Sequence, residues 1–177
     1  MATPPASSRP GSPWTSFPLE MAPLAPPAPF PVVDLPGLDG RRRPISEAWT
    51  RGRALVIVGH SECGTTRLSL PYVDRIHRRV SPAGVVAVLQ DDTRDARALV
   101  QELSLELPVR LEEDPYPLAS RLGLGTVPTL FLVSPEGLIE AVSEGFRRAD
   151  FEDFATRLGV PPPLFLGADT APALRPG

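Results

Sequence analysis

Three short runs are apolar at nearly every position: Leu55-Val56-Ile57-Val58, Val85-Val86-Ala87-Val88-Leu89 and Thr129-Leu130-Phe131-Leu132-Val133. Strands covered on both faces read this way, because neither face needs a polar position. After the first run, Leu68, Tyr72, Val73, Ile76 and Val80 recur at helical spacing and predict one buried helix face. Pro71 falls inside that helix. The apolar period resumes beyond it, so a bend rather than an end is expected. Residues 94–105 alternate charged and apolar groups at helical spacing, with Thr93 as the expected N-cap. The β-α-β order predicts a parallel core. Residues 108–111 read as a short edge strand and 115–122 as a short helix. Ser134-Pro135-Glu136-Gly137 reads as a tight turn, 138–142 as its antiparallel return, and 150–158 as a closing amphipathic helix.

Ahead of the first run, residues 30–53 read as a hairpin turning at Leu38-Asp39-Gly40, since Asp-Gly favours tight hairpin turns. Ser46 is expected to cap a single helical turn that runs into Trp49. Eleven of the 24 prolines lie within residues 1–36. Residues 1–23 are therefore expected to be an extended arm, too poor in large apolar groups to offset their ordering entropy. The proline-rich tail, 160–177, is expected to be loose. One α/β domain remains, over residues 24–159, and a 177-residue chain that is 42% hydrophobic has the core for one.

Composition then narrows the chemistry. A net charge of −3 and a pI near 5.4 argue against a nucleic-acid partner bound through a basic face. The basic run Arg41-Arg42-Arg43 sits at a hairpin tip, where it is read as solvated. No stretch has transmembrane length, and the N-terminus lacks the basic start and apolar run of a secretory signal; the expectation is a cytoplasmic protein with no membrane partner. All 18 basic residues are arginine, which removes lysine Schiff-base chemistry. With a single cysteine no internal disulfide forms.

That cysteine, Cys63, stands five residues after the first strand, where the next helix should begin. Orphan backbone N–H groups and the positive end of the helix dipole favour a thiolate there, the form that attacks disulfides and peroxides. The alternative is a small buried hydrophobe. A metal site is not expected, because Cys63, His60 and His77 have no recognised ligand spacing, and no cofactor is implied.

Cys63-x-x-Thr66, Pro71 eight residues after the cysteine, and Val127-Pro128-Thr129 leading into a strand and hairpin together resemble the thioredoxin superfamily. The hairpin start and the extra helix before Pro108 look most like its redoxin branch, the TlpA-like and AhpC/TSA-like proteins. The resemblance implies a thioredoxin-like α/β fold: a central mixed β-sheet flanked by helices, with an N-terminal β-hairpin extension. It implies catalytic parts for Cys63, Thr66 and Pro128, with Pro128 as a cis-proline beside the thiol. It also implies that the Val127 backbone pairs with an extended substrate, which Glu62, Gly64 and Thr65 would line.

The sequence departs from the family at telling places. Thr66 stands where thioredoxins carry their second cysteine, so dithiol exchange within one molecule is impossible, although a threonine hydroxyl can still donate to a thiolate. Glu62 replaces the usual tryptophan and should raise the thiol pKa; the buried carboxylate of thioredoxins falls at Ile57. The peroxiredoxin pattern Pro-x-x-x-Thr-x-x-Cys would need proline at Val56 and threonine at His60, and its arginine falls near Pro128. Arg67 and His60 are the remaining auxiliary candidates, as a positive charge and as a base. The expectation is a monothiol oxidoreductase acting on protein, peptide or small-molecule disulfides through Cys63. Its partners would be a disulfide substrate and an external thiol such as glutathione. Two alternatives remain, a one-cysteine peroxidase and a non-catalytic binding module.

Overall fold

The computed structural model describes residues 22–80 and 84–177; most of the arm expected over 1–23 lies outside the described residues. Strands β1 (Asp34–Pro36) and β2 (Arg42–Pro44) form a separate antiparallel pair, followed by a 3-10 turn, Ile45–Trp49. Then come β3 (Ala54–Gly59), α1 (Gly64–His77), β4 (Gly84–Leu89), α2 (Thr93–Glu102) and β5 (Val109–Leu111). The remainder is α3 (Pro117–Leu122), β6 (Thr129–Val133), β7 (Ile139–Glu144), β8 (Phe146–Arg147), α4 (Arg148–Arg157) and β9 (Leu174–Arg175).

The main sheet has the order β5-β4-β3-β6-β7. β3, β4 and β5 run parallel, while β6 and β7 are antiparallel, so the sheet is mixed, with helices on its faces. The strict two-residue period of a strand divides the apolar runs between two cores. Leu55, Ile57, Val85, Ala87, Leu89, Leu130 and Leu132 meet Leu70, Val73 and Ile76 of α1, Leu99 of α2, and Phe151 and Phe154 of α4. Val56, Val58, Val86, Val88, Phe131 and Val133 face the other way, onto Phe30, Leu35, Ile45, Trp49, Leu118 and Leu122. Both faces are covered, which is why these strands carry no polar alternation.

The caps differ from expectation. Asp92, not Thr93, caps α2, its carboxylate accepting the Asp95 N–H at 2.8 Å. The 3-10 turn begins directly after Pro44 without a side-chain cap, so Ser46 plays no capping part. α1 stops at His77, which leaves Val80 outside it, and Pro71 is carried within the helix.

The expected loose tail is the larger correction. Val160, Leu164 and Phe165 are buried in the α1/α4 core, where the Phe165 ring packs tilted against Tyr72 with centroids 4.6 Å apart. Arg75 reaches from α1 to Asp169 at 2.6 Å and to the Leu164 carbonyl at 2.8 Å. Proline content suggested looseness, but Leu164 and Phe165 supply the apolar area that holds the segment down. Beyond Asp169 the chain returns as β9 and pairs antiparallel with β8.

Candidate functional site

Register delivers the site. Val58 of β3 lies opposite Thr129 of β6, so the Val127–Pro128 bond arrives beside the C-terminal end of β3. Gly59 pairs with Leu89, which brings the end of β4 to the same edge. Gly59 also lets the helix close in: a Cβ there would stand 2.5 Å from Cγ2 of Thr66. Only glycine permits that approach.

The turn from β3 to α1 is pinned from below by Asp91, just past β4. Its nearly buried carboxylate accepts the Ser61 N–H at 3.0 Å and the Ser61 hydroxyl. The Cys63 N–H donates to the His60 carbonyl at 3.1 Å. Cys63 is the N-cap of α1, and its sulfur accepts the Thr66 N–H at 3.4 Å. In its neutral form the thiol donates to the Val127 carbonyl at 3.3 Å. Val127–Pro128 is cis, and Pro128 is buried against the sheet end. Cys63, Thr66 and Val127 therefore meet, with Pro128 next in the chain and Gly64 and Thr65 forming the first turn beside them.

The half-buried Cys63 thiol lies below its ordinary pKa. Burial pushes it up, but the Thr66 hydroxyl, the N–H groups of Thr66 and Thr65, and the positive charge of Arg175 together pull it further down. These are the orphan donors of a helix start, used here on a sulfur.

Other expected residues are occupied differently. Glu62 is exposed, and its N–H donates to His60 Nδ1 at 3.1 Å. That nitrogen also lies 3.7 Å from Asp91, so His60 is tied into the turn rather than aimed at the thiol. Arg67 is bound to Glu102 and to the Ser61 carbonyl. The cation that acts on the sulfur is Arg175, from β9, and the carboxylate that shapes the turn is Asp91. Asp91 had a positional signal, immediately beyond a buried parallel strand. Arg175 had none, because 112 residues separate it from Cys63.

Beyond Val127 a hollow of about 420 Å³ opens, lined by Gln90, Tyr116, Ala119, Leu124, Thr126 and Val127. Among the described residues no group of three His, Cys, Asp or Glu could hold a metal ion, and no helix is long and apolar enough to cross a membrane.

Neither a protein-family model nor a curated protein matches the chain. Solved structures do. A protein from Chlorobium tepidum, assigned as the thiol:disulfide interchange protein DsbE, is 27% identical with a TM-score of 0.66, over 73% of this chain and 92% of that one. The thioredoxin domain of a thiol-disulfide oxidoreductase from Bacteroides vulgatus aligns with a TM-score of 0.67 at 19% identity, over 76% and 97%. The chain has the thioredoxin-like fold. Within that fold a redoxin neighbour also appears: peroxidoxin BcpB from Mycobacterium tuberculosis, TM-score 0.62 at 14% identity, over 74% of this chain and 93% of that one. The thioredoxin-like fold accounts for the mixed five-stranded sheet and the hairpin ahead of it. This chain carries a single cysteine, with Thr66 at the fourth position of the motif.

Proposed function

We propose that the protein is a monothiol oxidoreductase that exchanges disulfides through Cys63. The observation that carries this reading is the half-exposed Cys63 thiol at the start of α1, made more acidic by Thr66 and facing the Val127 carbonyl. The Cys63 thiolate attacks one sulfur of a substrate disulfide; the Cys63–S bond forms, the substrate S–S bond breaks, and the departing thiolate takes a proton from solvent. Thr66 supplies a hydroxyl rather than a second sulfur, so the mixed disulfide persists. An external thiol of the glutathione class then attacks it as a thiolate, forms a new disulfide with the substrate sulfur and returns Cys63 to the thiolate.

Peroxide reduction is disfavoured, because His60 is engaged by the turn and Arg67 by Glu102, leaving neither to polarise a peroxide at the sulfur. Binding without catalysis is favoured by one feature, the threonine at the resolving position. Intact-mass measurement separates the readings. Oxidised glutathione should add one adduct at Cys63 that survives until an outside thiol is supplied, and Thr66→Cys should shorten the adduct's lifetime. A protein that gains no adduct while folded is a binding module.

A further inference from the structure

The surface beside Cys63 already carries a peptide segment, and it is the chain's own. From Ala173 to Gly177 the backbone crosses the face of the site. The Arg148 N–H donates to the Ala173 carbonyl at 3.0 Å, and Leu174 and Arg175 pair with Arg147 and Phe146. The Thr65 hydroxyl, in the first turn of α1, donates to the Pro176 carbonyl at 2.6 Å. Gly177 then lies against the Val127 carbonyl and the Thr126 hydroxyl. The segment thus bridges the helix that carries the thiol and the loop that carries the cis-proline, over the surface an extended substrate would need.

Its hold is slight. Residues 172–177 are exposed, Leu174 is 53% accessible, and the ladder is two residues long. Pro176 has no N–H, which stops strand pairing from extending toward the thiol. A short, exposed ladder with little buried apolar area belongs to the least stable part of a fold and opens readily. Arg175 adds a specific linkage. Its guanidinium abuts Gly64, where a Cβ would stand 2.8 Å away. A cation at the positive end of a helix is unfavourable unless a negative group offsets it. The Cys63 sulfur, when ionised, is such a group. A disulfide-bonded sulfur carries no charge, so once a substrate is captured the attraction that would draw the segment back is gone; by reciprocity, a docked Arg175 favours the thiolate.

We infer that residues 173–177 form an autoinhibitory strap, which covers the surface between Thr65 and Val127 beside Cys63 in the resting protein and is displaced by an extended disulfide-bearing peptide. This rests on the monothiol reading above. A strap closed nine-tenths of the time lowers the rate of peptide capture about tenfold.

The test compares two rates at Cys63: thionitrobenzoate release from a peptide carrying a mixed disulfide with that group, and alkylation by iodoacetamide. The second normalises for thiol acidity, which loss of Arg175 reduces. The proteins are the full chain, a chain ended after Pro172, and a full-length Leu174→Gly, Arg175→Gly double variant that reports even if the shortened chain does not fold. The peptide-to-iodoacetamide rate ratio should rise about tenfold in both variants. A synthetic Ala-Pro-Ala-Leu-Arg-Pro-Gly peptide added to the double variant should lower it again. Ratios within twofold across all three proteins, with Cys63 reactive in each, overturn the strap and leave the monothiol reading standing. If Cys63 reacts with neither reagent in any folded form, both are overturned.

Discussion

At the residue scale, the chemistry turns on which groups set the thiol's acidity. Sequence pointed to Arg67 and Glu62, both within four positions of the sulfur, yet Arg67 is spent on Glu102 and Glu62 turns outward to solvent. Thr66 and Arg175 act instead. Thr66→Ala and Arg175→Gln should each move the pH midpoint of Cys63 alkylation upward, since each removes a group that favours the thiolate. Arg67→Gln should leave the midpoint in place. A shift with Arg67→Gln and none with Arg175→Gln would reverse this assignment. Thr66 was legible from the Cys-x-x-Thr spacing because it lies one helical turn away; Arg175 was not, because only tertiary pairing brings it near.

At the element scale, the site depends on how closely β3 and α1 approach. Gly59 has no side chain to keep Thr66 away, so Gly59→Ala forces the start of α1 outward. Overpacking of this kind costs about 1–3 kcal/mol. Urea unfolding should show a loss in that range, and the alkylation midpoint should rise with it, because Thr66 no longer reaches the sulfur. A stability loss without any change in the midpoint would mean that the two elements are not coupled as described. The buried strands were readable directly, since Leu55-Val56-Ile57-Val58 and Thr129–Val133 have no polar face to misplace. Their neighbours were harder. Asp92 and Thr93 are both acceptable caps, and only the backbone geometry selects Asp92. β8 and β9, two residues each, are too short for any period to appear.

At the scale of the whole molecule, the C-terminal segment ties the far side of α1 to the site. Asp169 is held down to about 2 from 3.8, first by its hydrogen bonds with Arg75 and then by the Leu166 N–H. Because the folded value lies below the unfolded one, this contribution to stability is present above about pH 4 and fades as pH falls toward about 2. Asp169→Asn should therefore be less stable than wild type in urea at pH 5, and the gap should narrow at pH 2.5. A gap that stays constant with pH would mean that the Arg75–Asp169 ion pair does not contribute to stability. Proline counting hid this anchoring, because it weighs Pro161, Pro162 and Pro163 and overlooks Leu164 and Phe165 directly after them. The core sheet and the approach of the Val127–Pro128 turn to Cys63 were thus visible in local patterns, whereas the segment that docks beside the thiol is joined to it only through long-range contacts.

Whether Cys63 is ionised and reactive in the folded protein is read from its rate of alkylation by iodoacetamide across neutral to alkaline pH, native against urea-unfolded. Native Cys63 should react along a single titration curve whose midpoint lies below that of the unfolded chain. Native Cys63 that resists alkylation until the protein unfolds, or that titrates at or above the unfolded midpoint, would contradict it.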